Sequence, residues 1–211
     1  MAHLLKAELS RYRTKDNKKI NVYITSKKHQ NPSLYDRVRF GKEHKADLFL
    51  SMHLNASTNK CVKGAMVLVT HSHYEPNKKC MSNDKNAKKK SQRNDLYMRE
   101  EKVAKSIIKN LKKIGVTIPK NAKSSQIELR DGLLRRPSDD GDRYPNGDAS
   151  DWYGIIRHGV RNDLLSVLVE HVHLSNSSDY YNFLSTDDKL KKLVRADALG
   201  IAEYYGLVAI R

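Results

Sequence analysis

Two apolar segments of strand length constrain what this chain can fold into. Residues 47–52 and 166–169 are rich in apolar side chains, and they lead directly into His53 and Glu170. Helical and strand-like patterns alternate around them, as in α/β domains with a mainly parallel sheet. The carboxyl ends of parallel strands gather ligands and catalytic groups at one edge of such a sheet. The sequence therefore predicts that His53 and Glu170 belong to one site.

The spacing of apolar residues predicts the individual elements. We expect helices over residues 2–14, 34–44, 103–114, 152–160 and 188–205, and strands over residues 20–25, 46–52, 64–70 and 164–170. Residues 71–95 and 130–151 are polar and rich in turn-forming residues, so we expect long exposed loops there. The predicted fold class is α/β: a single domain over residues 1–211, with a mostly parallel twisted sheet flanked by helices.

The composition indicates an anionic partner. The 211 residues carry a formal net charge of +16 and have a pI of about 9.7. Nucleic acid and anionic cell-wall polymers both fit this charge, but the chain has no zinc-finger spacing, no aromatic RNA-recognition motif and no KH-type loop, so nucleic acid is not expected. No apolar stretch approaches the roughly 18 residues of a membrane span, and no secretory signal opens the chain. Cys61 and Cys80 could pair or remain free thiols.

His53 and Glu170 suit metal-assisted chemistry. Imidazole is a common zinc ligand, and a catalytic zinc takes three protein ligands plus water. A carboxylate at the end of a buried strand is costly unless it is paired or catalytic, and beside a metal-bound water it can act as general base and then general acid. Two structural alternatives stay open: an ordinary structural role for His53, and a buried ion pair between Glu170 and an arginine. His71 and His73 form a further candidate ligand pair.

Three motifs, in this order, resemble a known family. They are Asp-Leu-Phe-Leu-Ser-Met-His-Leu-Asn-Ala over residues 47–56, Gly-Ala-Met-Val-Leu-Val over residues 64–69, and Val-Leu-Val-Glu-His-Val-His-Leu-Ser-Asn over residues 167–176. Together with the helical segments at residues 34–38 and 192–206, they are similar to the zinc-dependent N-acetylmuramoyl-L-alanine amidases of bacterial cell walls and phage lysins. The resemblance covers nearly the whole chain, and the insert at residues 132–153 looks most like members from clostridia.

The resemblance implies zinc-dependent hydrolysis of the amide bond between N-acetylmuramic acid and L-alanine in peptidoglycan. By position, His53 matches the third zinc ligand of the family and Glu170 matches its catalytic glutamate. Asn55 and Asn176 lie within the matched motifs and are carried over as substrate-binding candidates. Zinc as the cofactor, peptidoglycan as the partner and an extracellular or cell-wall location follow from the same resemblance.

The chain departs from the family pattern at its beginning. The family opens with a strand that carries an Asp-x-Gly-His-Gly turn and the first zinc ligand, and the second ligand is a glutamate early in the next helix. Here a helical pattern already begins at residues 1–5, so we expect an N-terminally shortened domain that lacks the first strand and two of the three ligands. The alternatives are a non-catalytic peptidoglycan-binding module and a basic nucleic-acid-associated protein that shares only the fold.

Overall fold

The computed structural model describes residues 1–26, 30–76, 95–124 and 126–210. The helices are α1 (Ala2–Leu9), α2 (Leu34–Glu43), α3 (Leu96–Lys113), α4 (Gly154–Arg161), α5 (Ser177–Asp179) and α6 (Asp187–Tyr205). The short α5 continues into a π-helical turn (Tyr180–Leu184). The strands are β1 (Tyr12–Arg13), β2 (Phe49–Asn55), β3 (Met66–Leu68), β4 (Ala122–Lys123), β5 (Glu128–Arg130), β6 (Leu133–Arg135), β7 (Ser166–His173) and β8 (Val208–Ala209).

The central six-stranded sheet has the strand order β2-β7-β3-β6-β5-β4. The α/β fold class is confirmed, but the prediction of a mostly parallel sheet is wrong, because among the described pairs only β2–β7 and β3–β6 are parallel. The connection between β5 and β6 shows one physical reason. Asp131 and Gly132 have positive φ angles of 49° and 81°, and a two-residue turn of this kind joins antiparallel strands.

Strand β7 lies inside the sheet, and helices cover both of its faces. Its Val167 and Val169 face an apolar cluster that α1, α3 and α6 complete, whereas Leu168 faces a second cluster with Ile156 and Val160 of α4. Successive side chains of a strand point to opposite faces. The uninterrupted apolar run in the sequence therefore corresponds to a strand that is buried on both sides.

Side-chain caps explain where two of the helices begin. The hydroxyl of Ser33 accepts a hydrogen bond from the Asp36 amide at 3.1 Å, and the carboxylate of Asp95 accepts one from the Met98 amide at 2.8 Å. Such caps satisfy backbone donors that the first turn of a helix leaves free. The predicted helix over residues 34–44 is confirmed, whereas α3 begins at Leu96 rather than at residue 103 because Asp95 caps it there.

The predicted strand over residues 20–25 does not form. Within the described ranges, the nearest ladder contact is an isolated bridge between Lys19 and Arg13. Strand β2 is the edge of the sheet, and a cavity of about 480 Å³ is lined by both β2 and residues 19–25. This prediction is therefore wrong, because alternating hydropathy is a local pattern whereas a strand needs a hydrogen-bonded neighbour.

The two predicted loops have different outcomes. Residues 77–94, which include Cys80, lie outside the described residues, and Cys61 is exposed. Residues 130–151 are not exposed throughout, because this segment contains β6 and the side chains of Tyr144 and Asp151 are buried. The hydroxyls of Thr70 and Tyr144 both donate to the Asp151 carboxylate at 2.7 Å. These hydrogen bonds hold the segment against the domain.

Candidate active site on strands β2 and β7

The register of the parallel strands β2 and β7 places His53 directly opposite Glu170. Neighbouring strands lie about 4.8 Å apart, and directly paired residues point to the same face. Both residues lie inside their strands rather than just past the ends, because β2 continues to Asn55 and β7 to His173. The structure thus brings together the two side chains that the sequence singled out.

Glu170 is half-buried and has a free acceptor. Its Oε2 atom is buried and makes no hydrogen bond with any of the described residues. Burial raises the pKa of this carboxyl above its ordinary value of 4.5, and the positive charge of His171 opposes the shift. The expected alternative, an ion pair with an arginine, does not occur among the described residues. Glu170 therefore binds a proton more readily than an exposed glutamate does.

His53 presents a neutral imidazole. Burial of part of the ring lowers its pKa below the ordinary 6.5, and the positive charges of Arg37 and His171 lower the pKa further. Its Nε2 atom lies 3.0 Å from the hydroxyl oxygen of Ser51, within hydrogen-bond distance, and its side chain is exposed. A neutral ring keeps one nitrogen lone pair, which is the form that binds a metal ion or accepts a proton.

The two candidate substrate-binding asparagines differ in their surroundings. Asn55 is partly exposed; its Oδ1 accepts a hydrogen bond from the Ala56 amide at 2.7 Å. Asn176 is buried: its Oδ1 accepts from the Asp179 amide at 3.0 Å, and its Nδ2 donates to the Lys60 carbonyl at 2.7 Å. Asn176 therefore caps the start of α5, and both ends of its amide already have partners within the fold.

A family model described as N-acetylmuramoyl-L-alanine amidase matches residues 1–203. The chain belongs to this family. Its members are hydrolases of peptidoglycan, and the resemblance that the three sequence motifs indicated is confirmed. No curated protein matches the chain in a sequence search.

Solved amidase structures show the same fold at low sequence identity. Cwp6 from Clostridium difficile is 22% identical with a TM-score of 0.56, and the match covers 87% of this chain but 22% of Cwp6. The catalytic domain of CwlV from Bacillus (Paenibacillus) polymyxa var. colistinus is 21% identical with a TM-score of 0.54, covering 96% and 79% of the two chains. Ami1 from Mycobacterium smegmatis is 14% identical with a TM-score of 0.58, covering 95% and 90%.

Zinc is the usual metal of this amidase family, and the described residues do not fit a complete zinc site. No group of three histidine, cysteine, aspartate or glutamate side chains in the described ranges could hold a metal ion. His71 and His73 do not supply ligands beside His53: Nε2 of His71 donates to the Ala149 carbonyl at 2.7 Å, and Nδ1 of His73 donates to Asp95 at 2.6 Å. The site therefore offers one imidazole and one free carboxylate.

Sequence reasoning missed a second histidine that belongs to this region. His171 is fully buried on the face of β7 opposite Glu170, and it pairs with the equally buried Asp197 of α6. The signal was present in the sequence, because Asp197 stands in the apolar stripe of the last predicted helix. A carboxylate in such a position requires a buried partner.

Proposed function

We propose that this chain hydrolyses the amide bond between N-acetylmuramic acid and L-alanine in peptidoglycan, with Glu170 as the proton-transfer group. The observation that carries this function is the register pairing of Glu170 with His53 on a chain of the amidase family. Peptidoglycan as the substrate places the site of action at the cell wall. Within the described residues, no helix is both long and apolar enough to cross a membrane.

Glu170 suits both halves of an amide hydrolysis. As a carboxylate it takes a proton from the attacking water, and as a carboxylic acid it passes that proton to the departing amine of L-alanine. Its unpartnered Oε2 is the atom that holds the proton between these steps. The raised pKa makes the Glu170 carboxylate a stronger base than an exposed glutamate, which favours uptake of the proton from the attacking water.

His53 and Asn55 complete the face that meets the substrate. The neutral His53 ring lies opposite Glu170, and the Asn55 side chain follows two residues later along β2. The Asn55 amide nitrogen makes no hydrogen bond with the described residues, so it is available to an amide or hydroxyl oxygen of the substrate. We propose that both residues contact the substrate. His53 would also be one ligand of a zinc ion.

The decisive experiment compares Glu170→Gln with an exposed control, Glu43→Gln. Purified peptidoglycan is incubated with each protein, with and without added zinc, and the new amino termini of L-alanine are counted. We expect Glu170→Gln to lower the rate by at least about 100-fold, since general acid–base groups contribute that much or more, and Glu43→Gln to match the wild type. Equal rates for the wild type and Glu170→Gln would contradict the assigned role.

A wall-binding module without catalysis is the alternative function, and membership of the amidase family does not favour it. Zinc content separates the two functions. Stoichiometric zinc in the purified wild-type chain, together with release of L-alanine amino termini, supports the hydrolase. Tight binding to purified peptidoglycan, with no release at any zinc concentration, supports the binding module.

A further inference from the structure

A buried ion pair lies directly behind the candidate site. The His171 side chain in β7 and the Asp197 side chain in α6 are both fully buried. The Nε2 atom of His171 donates to the Asp197 carboxylate at 2.7 Å, and its Nδ1 atom donates to the backbone carbonyl oxygen of His53 at 2.9 Å. Since both neighbours are acceptors, the ring carries a proton on each nitrogen.

The contact with His53 occurs where the two strands change register. His53 pairs with Glu170 but Asn55 pairs with His173, so β7 contains one more residue than β2 across this step. Irregularities of this type disrupt the ladder locally and redirect the side chains beside them. The imidazole of His171 supplies a hydrogen-bond donor to the backbone at this point.

Asp197 is held firmly by the packing of its helix. One turn further along α6, a Cβ atom on Gly200 would lie 2.7 Å from the Cα atom of Ile107 in α3. Helix backbones in such close contact leave no room for α6 to shift toward α3. The carboxylate that His171 contacts is therefore fixed relative to the core.

We propose that His171 and Asp197 form a positioning pair that fixes the His53 backbone, and thereby sets the direction of the His53 imidazole relative to Glu170. This role presupposes the hydrolytic function proposed above, because it concerns how that site is presented. Neither residue touches the reacting atoms, and both act through His53. The directional element is the Nδ1 bond, since a buried ion pair by itself contributes little net stability.

Two substitutions separate the two hydrogen bonds of the ring. The side-chain amide of asparagine reaches the position of Nδ1, and that of glutamine reaches the position of Nε2. His171→Asn therefore keeps the bond to His53 and loses the bond to Asp197, whereas His171→Gln does the reverse. Asp197→Asn removes the charge but lets a neutral His171 still donate from Nδ1.

We expect His171→Gln to lower kcat on a soluble muramyl peptide by about 100-fold with little change in KM, because a displaced group loses the geometry of reaction. His171→Asn and Asp197→Asn should stay within about 10-fold of the wild type. Rates are expressed per folded molecule, with the folded fraction taken from chemical unfolding of each variant. Equal losses in His171→Asn and His171→Gln would overturn the positioning role.

A second measurement is independent of catalysis. The carbonyl ¹³C chemical shift of His53 and the scalar couplings of its χ1 angle, measured by NMR, report the hydrogen bond and the ring direction. Both should change in His171→Gln and stay near wild-type values in His171→Asn. Unchanged values in His171→Gln would overturn the positioning pair even in an active enzyme. An inactive wild type would overturn the hydrolytic function alone, because the NMR values report the His53 hydrogen bond and ring direction whether or not the protein is active.

Discussion

At the scale of single residues, two polar side chains from one motif have opposite surroundings. Glu170 keeps a buried oxygen without any partner among the described residues, whereas Asn176 uses both ends of its amide within the fold. An unpaired buried acceptor costs free energy, and such a cost is typical of a group that acts on a substrate. A satisfied amide at the start of a helix is typical of a structural cap. The motif therefore contains both the proposed catalytic residue and a structural cap within seven residues of sequence.

Asn176→Ala should reduce stability and leave chemistry intact. Loss of the cap and of the bond to the Lys60 carbonyl should lower the free energy of unfolding by about 1 to 2 kcal/mol. Urea unfolding measures this change, and the rate per folded molecule should stay at the wild-type level. Asn182→Ala, on the exposed π-helical turn, is the matched control. If Asn176→Ala has the wild-type free energy of unfolding but loses activity, Asn176 is a substrate-binding residue and not only a cap.

At the scale of elements, a buried acid joins α3 to the sheet. Glu100 is fully buried; its carboxylate accepts hydrogen bonds from the Thr70 amide at 2.7 Å and the Ser166 amide at 3.2 Å. Burial raises the pKa of Glu100 well above its ordinary 4.5, and the nearby negative charge of Asp151 adds to the shift. One carboxyl thus connects a helix with residues that follow β3 and begin β7.

The sign of the pH dependence follows from this raised pKa. Above pH 4.5 the unfolded chain releases the Glu100 proton, while the folded chain still holds it. The free energy of unfolding should therefore fall as pH rises between the two pKa values, by up to about 1.4 kcal/mol per pH unit from this group. Glu100→Gln should show a shallower fall than the wild type in urea titrations across pH 4.5 to 7, with Glu43→Gln as control. Parallel curves for all three proteins would refute this linkage.

At the scale of the whole molecule, charge and the edge of the sheet are the dominant features. The chain carries a net charge of +16, and positive potential of this size attracts anionic polymers over several ångströms. Strand β2 forms the edge of the sheet, and its residues Phe49, Leu50 and Met52 line the cavity of about 480 Å³. An open edge of this kind favours association with another extended segment, so we predict poor solubility or oligomerisation for this chain by itself.

Salt should separate attraction to anionic wall polymers from recognition of peptidoglycan itself. Raising NaCl from about 0.1 M to about 1 M shortens the screening length from about 10 Å to about 3 Å. Sedimentation with whole cell walls should show binding that weakens several-fold over this range. Walls stripped of their anionic polymers should show weaker binding and a smaller dependence on salt. Identical salt curves for the two wall preparations would exclude a contribution from those polymers.

Much of this fold was accessible from the sequence. The α/β class, the helices around residues 34–43 and 187–205, the buried strand β7 and the expectation that His53 and Glu170 share one site all followed from apolar runs and periodicity. These features are predictable because the spacing of apolar residues along a helix or a strand depends on which of its faces is buried. The motif resemblance added the amidase family, which the match over residues 1–203 shows.

Tertiary structure alone decided the rest. The mixed direction of the strands, the failure of residues 20–25 to pair and the burial of Asp151 depend on partners that are distant in the chain. The same holds for the contact of His171 with Asp197, 26 residues later, and with the His53 carbonyl, 118 residues earlier. Sequence spacing determines which face of an element a side chain occupies, but the neighbour on that face is determined only when the elements pack together.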